Sequence, residues 1–436
     1  MKMNSINTLA CETIFDYYDR EINRVKEFNW SQDCETFDPN SIIYEGVLYE
    51  FEGSHKNSQI YYYIAVPNKL LRFDISILQS KDKYKEKNQG SLFLFFPILS
   101  LVKDQKENLC GFSLLSHGKT RAFFSENNGE ILKWYKNLSN FSLLTSVKKY
   151  YNFVNIIGCG NFSNVSLAIK IEGQQEYAIK TIYLDKLEHK IRHIEAIINE
   201  IKILRMIDHP NVTRLFEVYY STSSVNLVFE YLPGGELFEY IDTKISFTEE
   251  NAKNIIKKLV SIVHFIHSKN IIHRDLKPEN ILLKNKSDIL SFKLADFGLS
   301  VLNFKNEIQF VRCGSPGFVA PESLNKEGYN QKADMFSIGV ITYILLTGSP
   351  PFQRETFKET LSANKRCKID YDCIEFKRVS SEALKFVKDT TQRDPALRIS
   401  SDEALKHPWL NSDTESTRKN SISIIGTYKA NIKKYL

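Results

Sequence analysis

The sequence predicts a multidomain chain in which an antiparallel sheet closed by a helix precedes a longer unit that runs from strands into helices. Three observations predict it. Between Ile42 and Val102, aromatic and β-branched residues dominate, as in Tyr61-Tyr62-Tyr63-Ile64-Ala65-Val66, with Gly, Asn and Pro breaking the runs. Ile131, Trp134, Tyr135 and Leu138 then fall at helical spacing, which puts one apolar face on a short helix from Gly129 to Leu138. From Tyr151 strand-like runs around a glycine loop come first, long helical patterns follow, and the unit ends near Trp409.

Residues 1–40 are polar, lack periodicity and end in the turn-forming Asp38-Pro39-Asn40, which predicts a loosely held leader. The sheet and its helix occupy 41–145, the longer unit 151–410, and a basic tail rich in Ser, Asn and Lys fills 411–436. The most apolar run, Ser91 to Val102, contains Pro97 and is too short for the ~20 residues of a membrane span, so it reads as buried strand.

Composition fits this division. A chain of 436 residues suggests two or three domains, and 42% hydrophobic with 25% charged residues is a globular balance. The net charge of +6 is spread without dense Lys/Arg runs, which argues against nucleic acid as a partner. The seven cysteines form no C-x-x-C pair, so neither zinc nor a disulfide framework is indicated. With no apolar signal-peptide core and no N-terminal glycine for myristoylation, the expected location is cytoplasmic, with peripheral membrane association as the alternative.

The chemistry-bearing residues lie in the longer unit. Phosphoryl transfer needs phosphates held, charge neutralised by metal, and a hydroxyl aimed in line. Gly158-Cys159-Gly160-Asn161-Phe162-Ser163-Asn164-Val165 sits between two strand-like runs, where glycines let backbone N–H groups approach phosphate oxygens; alone it is as readily a plain hairpin turn. Tyr177-Ala178-Ile179-Lys180 follows as a strand, and Asn199-Glu200-Ile201 lies on a helix; taken singly, Lys180 and Glu200 read as surface charges. His273-Arg274-Asp275-Leu276-Lys277-Pro278-Glu279-Asn280, Asp296-Phe297-Gly298 and Ala320-Pro321-Glu322 complete the series.

These segments, in this order, resemble the serine/threonine protein kinases, with the His273–Asn280 stretch matching the family's catalytic loop at every position. The resemblance implies a bilobal protein-kinase fold, with a β-rich N-lobe and an α-rich C-lobe, and ATP and Mg²⁺ as cofactors. It implies that Gly158, Gly160, Ser163, Val165 and Ala178 surround the nucleotide, with Ser163 standing where the third glycine is usual. Lys180 would grip the α- and β-phosphates, positioned by Glu200. Glu230-Tyr231-Leu232 would be the hinge to adenine, with simple core as the alternative. Asp275 would take the substrate hydroxyl's proton and Lys277 would lie by the γ-phosphate. Asn280 and Asp296 would hold magnesium, while Asp334 and Arg398, the latter as partner of Glu322, are architectural.

Cys313-Gly314-Ser315-Pro316-Gly317-Phe318-Val319-Ala320-Pro321-Glu322 and His407-Pro408-Trp409 are similar to the calcium/calmodulin-dependent kinase group, which places Ser315 near Asp275. Glu236 and Glu279 match acidic positions of basophilic kinases, with Glu236 also at the ATP ribose, so the expected targets are proteins carrying Arg-x-x-Ser/Thr. The usual activation-loop phosphothreonine position is Val311, which leaves Arg274 without a phosphate and predicts activity without phosphorylation there, with Glu307 as a partial substitute. No EF-hand loop is present. The tail has Arg418-Lys419-Asn420-Ser421 and, at helical spacing, Ile425, Tyr428, Ile432 and Tyr435; autoinhibitory helix, calmodulin-binding helix and frayed terminus all remain open.

The segment 41–145 resembles a pleckstrin-homology domain, a β-barrel or sandwich capped by a C-terminal helix, through Glu45-Gly46-Val47-Leu48 and Trp134. Glu45, Glu50 and Glu52 around the first hairpin, with no basic cluster, argue against phosphoinositide binding and for protein docking or inhibition by residues 1–145. Two readings compete with catalysis. A pseudokinase scaffold is disfavoured because Lys180, Asp275, Asn280 and Asp296 are all present, and a membrane adaptor is disfavoured by the charges of 41–145.

Overall fold

The computed structural model describes residues 30–31, 37–51, 58–67, 69–80, 84, 88–94, 96–103, 108–187, 191–237, 239, 247–303, 308–309, 313–325, 328–411 and 421–422. Two compact units result: residues 1–198 with 215–231, and residues 199–214 with 232–436.

The first unit opens with seven antiparallel strands, β1 (Tyr44–Phe51), β2 (Ser58–Val66), β3 (Lys69–Phe73), β4 (Gly90–Phe93), β5 (Ile98–Lys103), β6 (Leu109–Ser116) and β7 (Lys119–Phe124), in the order β4-β3-β2-β1-β7-β6-β5. Of the expected barrel or sandwich, a closed barrel is not what forms: among the described residues the order is open, with β4 and β5 at its two ends. Ser91 to Val102 is also two strands rather than one. Phe96 takes a left-handed φ of 49° before Pro97, which lacks a ladder donor, and the run breaks there.

Helix α1 (Asn128–Ser139) begins where Asn127 Oδ1 accepts from the Gly129 amide at 2.8 Å, satisfying one of the orphan N–H groups of the first turn. Its apolar stripe, Ile131, Trp134 and Leu138, is fully buried with Leu48, Tyr63, Phe112 and Phe123 of the sheet. Burial of the Trp134 indole contributes roughly 4–6 kcal/mol at ~25 cal/mol per Å². Gly46 makes room for it, since a Cβ there would lie 3.3 Å from Trp134 Nε1.

One correction concerns charge. Glu50 is buried and accepts from Arg72 (3.2 Å), Arg121 (2.9 Å), Trp30 Nε1 (2.8 Å) and the Tyr63 hydroxyl (2.9 Å). Alternation along the strands brings basic residues from β3 and β7 to the carboxylate, a cluster the linear reading around the first hairpin missed. Glu52 lies outside the described residues.

The same unit carries a second antiparallel sheet of five strands, β8 (Tyr151–Cys159), β9 (Ser163–Lys170), β10 (Glu176–Tyr183), β11 (Leu215–Tyr220) and β12 (Ser224–Glu230), in the order β11-β12-β10-β9-β8. Helix α2 (Ile191–Met206) follows β10 in the chain and buries Ile194, Ile197, Ile198, Ile201 and Leu204.

The second unit is mainly helical, built on α3 (Glu249–Ser268), α4 (Lys332–Thr347), α5 (Phe357–Arg366), α6 (Ser381–Thr390), α7 (Ser401–Leu405) and α8 (Pro408–Asn411). Helix α4 is buried from Ala333 to Thr347, and Gly339 permits its close approach to α6, where an added Cβ would sit 2.5 Å from Thr390 Oγ1. Short strands include β13 (Gly235–Glu236), β14 (Phe247–Thr248), β15 (Ile271–Ile272), β16 (Ile281–Leu283), β17 (Phe292–Leu294), β18 (Val301–Leu302) and β19 (Ser421–Ile422), the last pairing with β14. No helix among the described residues is long and apolar enough to cross a membrane. The tail segment from Ile425 to Tyr435, Arg418, Glu307 and Val311 lie outside the described residues.

Candidate active site

In the first unit the glycine segment forms the β8–β9 hairpin, closed by a 2.7 Å bond from the Gly160 amide to the Ser163 carbonyl. Val165 on β9 lies directly opposite Lys180 on β10, so side-chain alternation puts Val165, Ala178 and Lys180 on one face of the sheet. Glu230 ends β12, opposite Tyr177. Gly158, Ser163, Val165, Ala178, Lys180 and Glu230 thus share one sheet, with Gly160 in its β8–β9 turn. Glu200, Leu232 and Glu236 belong to the second unit, with Glu200 buried on α2 and Glu236 on β13 opposite Leu282.

The second unit holds the loop 273–280, which hangs from α4. The buried Asp334 carboxylate accepts from the backbone amides of His273 and Arg274, each at 2.9 Å, and meets His267 Nε2 at 2.9 Å. Burial by itself pushes the Asp334 carboxyl up, but the His267 hydrogen bond and the neighbouring imidazoles outweigh it and hold the group below its ordinary value. His273 is fully buried against Phe297, ring centroids 4.8 Å apart, and burial lowers its pKa.

Asp275 points into a set of donors. Its Oδ1 accepts from Ser315 Oγ (2.7 Å) and the Ser315 amide (3.0 Å), and its Oδ2 lies 3.0 Å from Lys277 Nζ. Lys277 also donates to Ser315 Oγ at 3.0 Å, closing a three-residue ring. Burial lowers the Lys277 pKa, yet the charge and hydrogen bond of Asp275 outweigh it, so the ammonium is held above its ordinary range. Asn280 Nδ2 donates to the Asp275 carbonyl (2.8 Å), and the Asn280 carbonyl accepts from the Ala295 amide (2.9 Å), tying loop 273–280 to the segment carrying Asp296.

Asp296 and Arg274 adopt left-handed backbone conformations, φ 58° and 70°, uncommon for residues other than glycine and concentrated at functional sites. Glu279 has its carboxyl pushed up by burial, and its Oε2 has no hydrogen-bond partner among the described residues. Among the described residues no group of three or more His, Cys, Asp and Glu could hold a metal ion by protein ligands alone. Asn280 and Asp296 supply the hard carboxamide and carboxylate oxygens that suit magnesium when phosphate oxygens complete its shell, so the donor chemistry fits that ion.

Sequence reasoning placed Ser315 beside Asp275 and paired Arg398 with Glu322, and both contacts are present; the second is bidentate, at 2.6 and 2.9 Å. It missed Tyr329, whose hydroxyl accepts from Arg274 Nη1 at 3.0 Å. No local pattern around Tyr329 announces that contact. Tyr329 also pairs with Gln309 through an isolated antiparallel bridge.

The chain belongs to the protein kinase family, whose protein kinase domain matches residues 151–410. It is 40% identical over 297 residues to myosin light chain kinase A of Dictyostelium discoideum, covering 67% of this chain and 96% of that relative. It is 37% identical over 292 residues to calcium/calmodulin-dependent protein kinase type 1 of Caenorhabditis elegans, covering 67% and 82%. It is 36% identical over 272 residues to probable serine/threonine-protein kinase fhkC of Dictyostelium discoideum, covering 62% and 46%. The protein is a serine/threonine kinase.

Proposed function

We propose that this kinase moves the γ-phosphate of Mg-ATP onto Ser or Thr hydroxyls that follow an arginine by three residues, using Asp275 as proton acceptor. The ring of Asp275, Lys277 and Ser315 carries this reading, because it aims a carboxylate and an ammonium at one spot with donors that fix both. Asp275 Oδ2 would accept the hydroxyl proton as the oxygen bonds to the γ-phosphorus and the bond from that phosphorus to the β,γ-bridging oxygen breaks, releasing ADP, while Lys277 compensates charge on the transferring group. Asn280 and Asp296 would hold magnesium, which when bound neutralises phosphate charge. In the same reading, Gly158, Gly160 and Ser163 present backbone N–H groups to phosphates, Lys180 grips them, Glu200 keeps its positioning role, and Val165, Ala178, Glu230 and Leu232 take the nucleoside.

Specificity for arginine rests on Glu279, whose buried Oε2 has no partner among the described residues and so gains most from a guanidinium fork, with Glu236 as the second acidic group. A degenerate peptide array tests this: enrichment of Arg three residues before the acceptor supports it, and a flat profile there removes it.

Relatives named as calcium/calmodulin-dependent kinases make calmodulin a candidate regulator, acting through the tail from Ile425 to Tyr435. Calcium-dependent retention of the full chain, and its loss when residues 423–436 are deleted, is the test. The seven cysteines fall in no C-x-x-C pair, a usage in keeping with work in a reducing cytosol. The seven-stranded sheet followed by the Trp134 helix supports the pleckstrin-homology-like reading of 41–145 and a protein-docking use for it.

A further inference from the structure

Both sheets of the first unit would leave an open edge, β5 on one and β11 on the other. Unpaired edges expose rows of N–H and C=O groups. The dipeptide Leu143-Leu144 fills both. The Leu143 amide donates to the Pro97 carbonyl and its carbonyl accepts from the Leu99 amide, each at 2.8 Å. The Leu144 amide donates to Val218 (2.7 Å) and its carbonyl accepts from the Tyr220 amide (2.8 Å). Leu143 is thus a parallel bridge partner of Ile98, and Leu144 of Tyr219.

Side chains continue the connection. One hydrophobic cluster runs from Leu48, Phe112, Trp134 and Leu138 through Leu144 to Tyr151, Ala168, Tyr177, Ile179, Tyr219 and Val228 of the second sheet. Strand register puts Ala168, Tyr177, Ile179 and Val228 on one face of that sheet, and Val165, Ala178 and Lys180 on the other. The covered face is the back of the strand that carries Lys180. Its polar rim is closed by Glu217, which accepts from the hydroxyls of Tyr151 and Tyr219 (2.8 Å each) and from Lys170 (3.0 Å). Tyr135 of α1 adds a phenol whose pKa is raised by burial and by nearby Tyr150 and Glu217.

We infer that α1 and the Leu143-Leu144 connector are positioning elements of phosphoryl transfer: they brace the back of the second sheet so that β10 presents Lys180 to the nucleotide. Leu144 is the positioning residue at the seam. Residues 41–145 therefore support the kinase sheet rather than inhibit it. This rests on the reading of Lys180 as the phosphate grip.

The full chain tests it by steady-state phosphorylation of an Arg-x-x-Ser peptide with ATP varied. Leu144→Pro removes the N–H bonded to Val218, and Tyr135→Phe removes only one seam phenol, as a milder variant should the first fail to fold. Leu144→Ile is the conservative rescue and Leu132→Asp, half-exposed on α1, the control. The expected result is a KM for ATP raised at least fivefold in Leu144→Pro and at least twofold in Tyr135→Phe, with kcat changed less. Leu144→Ile and Leu132→Asp should match the parent, and hydrogen exchange at the Tyr220 amide should accelerate in Leu144→Pro. An unchanged KM for ATP in the seam variants that fold, or faster turnover, overturns the brace. Failure of the parent chain to phosphorylate any peptide would instead count against the functional reading.

Discussion

Arg274 donates from Nη1 to the phenolic oxygen of Tyr329 at 3.0 Å, and its Nε donates to the Leu299 carbonyl. An arginine next to the proposed proton acceptor is thereby held by a neutral hydroxyl and a backbone carbonyl. With Val311 at the usual phosphothreonine position, we expect the enzyme to work without phosphate between residues 299 and 312. Tyr329→Phe removes one hydrogen bond to a charged group, about 1.5–3 kcal/mol in net terms. Initial-rate kinetics should show turnover falling about threefold to tenfold if half of that energy positions the loop. Stoichiometric, activity-linked phosphate between 299 and 312 would refute the arrangement.

Ser315 supplies two of the donors to Asp275 Oδ1 and one acceptor to Lys277. Ser315→Ala keeps the amide donor and deletes the hydroxyl, so kcat should fall by about tenfold to a hundredfold with KM for ATP nearly constant. Ser315→Thr keeps the hydroxyl and should retain most of the activity. Equal loss in both variants would show that side-chain volume, not hydrogen bonding, matters there.

If Glu279 selects arginine as proposed, substrate choice should depend on pH. Burial raises its pKa above the ordinary 4.5, so its charge is lost at a higher pH than that of an exposed glutamate. As pH falls toward and through that raised value, KM for an Arg-x-x-Ser peptide should rise, while KM for the peptide with Ala in place of Arg should move little. Glu279→Gln should shrink the difference between the two peptides to what Glu236 alone supports and remove the pH dependence that Glu279 contributes.

Stability of the second unit depends on buried charge. Glu322 and Arg398 form a bidentate pair, and Arg398 also donates to the Gln392 and Lys332 carbonyls. Removing one partner strands the other, so Glu322→Ala should cost about 3–5 kcal/mol, read as a lower denaturant midpoint. Asp334, held below its ordinary pKa of 3.8, contributes stability that is present above that value and lost as pH falls through its lowered folded value. Asp334→Asn should therefore flatten the acid limb of the stability curve.

Much of the candidate site could be read in the sequence because phosphoryl transfer constrains short contiguous segments. The loop 273–280, the Asp296-Phe297-Gly298 turn and the glycine hairpin are each local, and the roles proposed for them rest on residue types suited to phosphate and magnesium. What escaped depends on chain-distant pairing. Tyr329 reaches Arg274, and Arg72 and Arg121 reach Glu50, only after strands or loops far apart in sequence come into register. The open first sheet and the shared use of Leu143-Leu144 are likewise properties of edges, and hydrophobic periodicity does not encode which edge a short apolar dipeptide will cover. The break at Phe96 and Pro97 was locally encoded, since proline within an apolar run demotes it as a strand.

The most direct measurement is transfer of radiolabelled γ-phosphate from Mg-ATP to an Arg-x-x-Ser peptide by the full chain and by Asp275→Asn. The account predicts label on the peptide serine with the parent chain, and a rate lower by about a hundredfold to ten-thousandfold when the proton acceptor is removed. Equal labelling by both would contradict the assignment of Asp275.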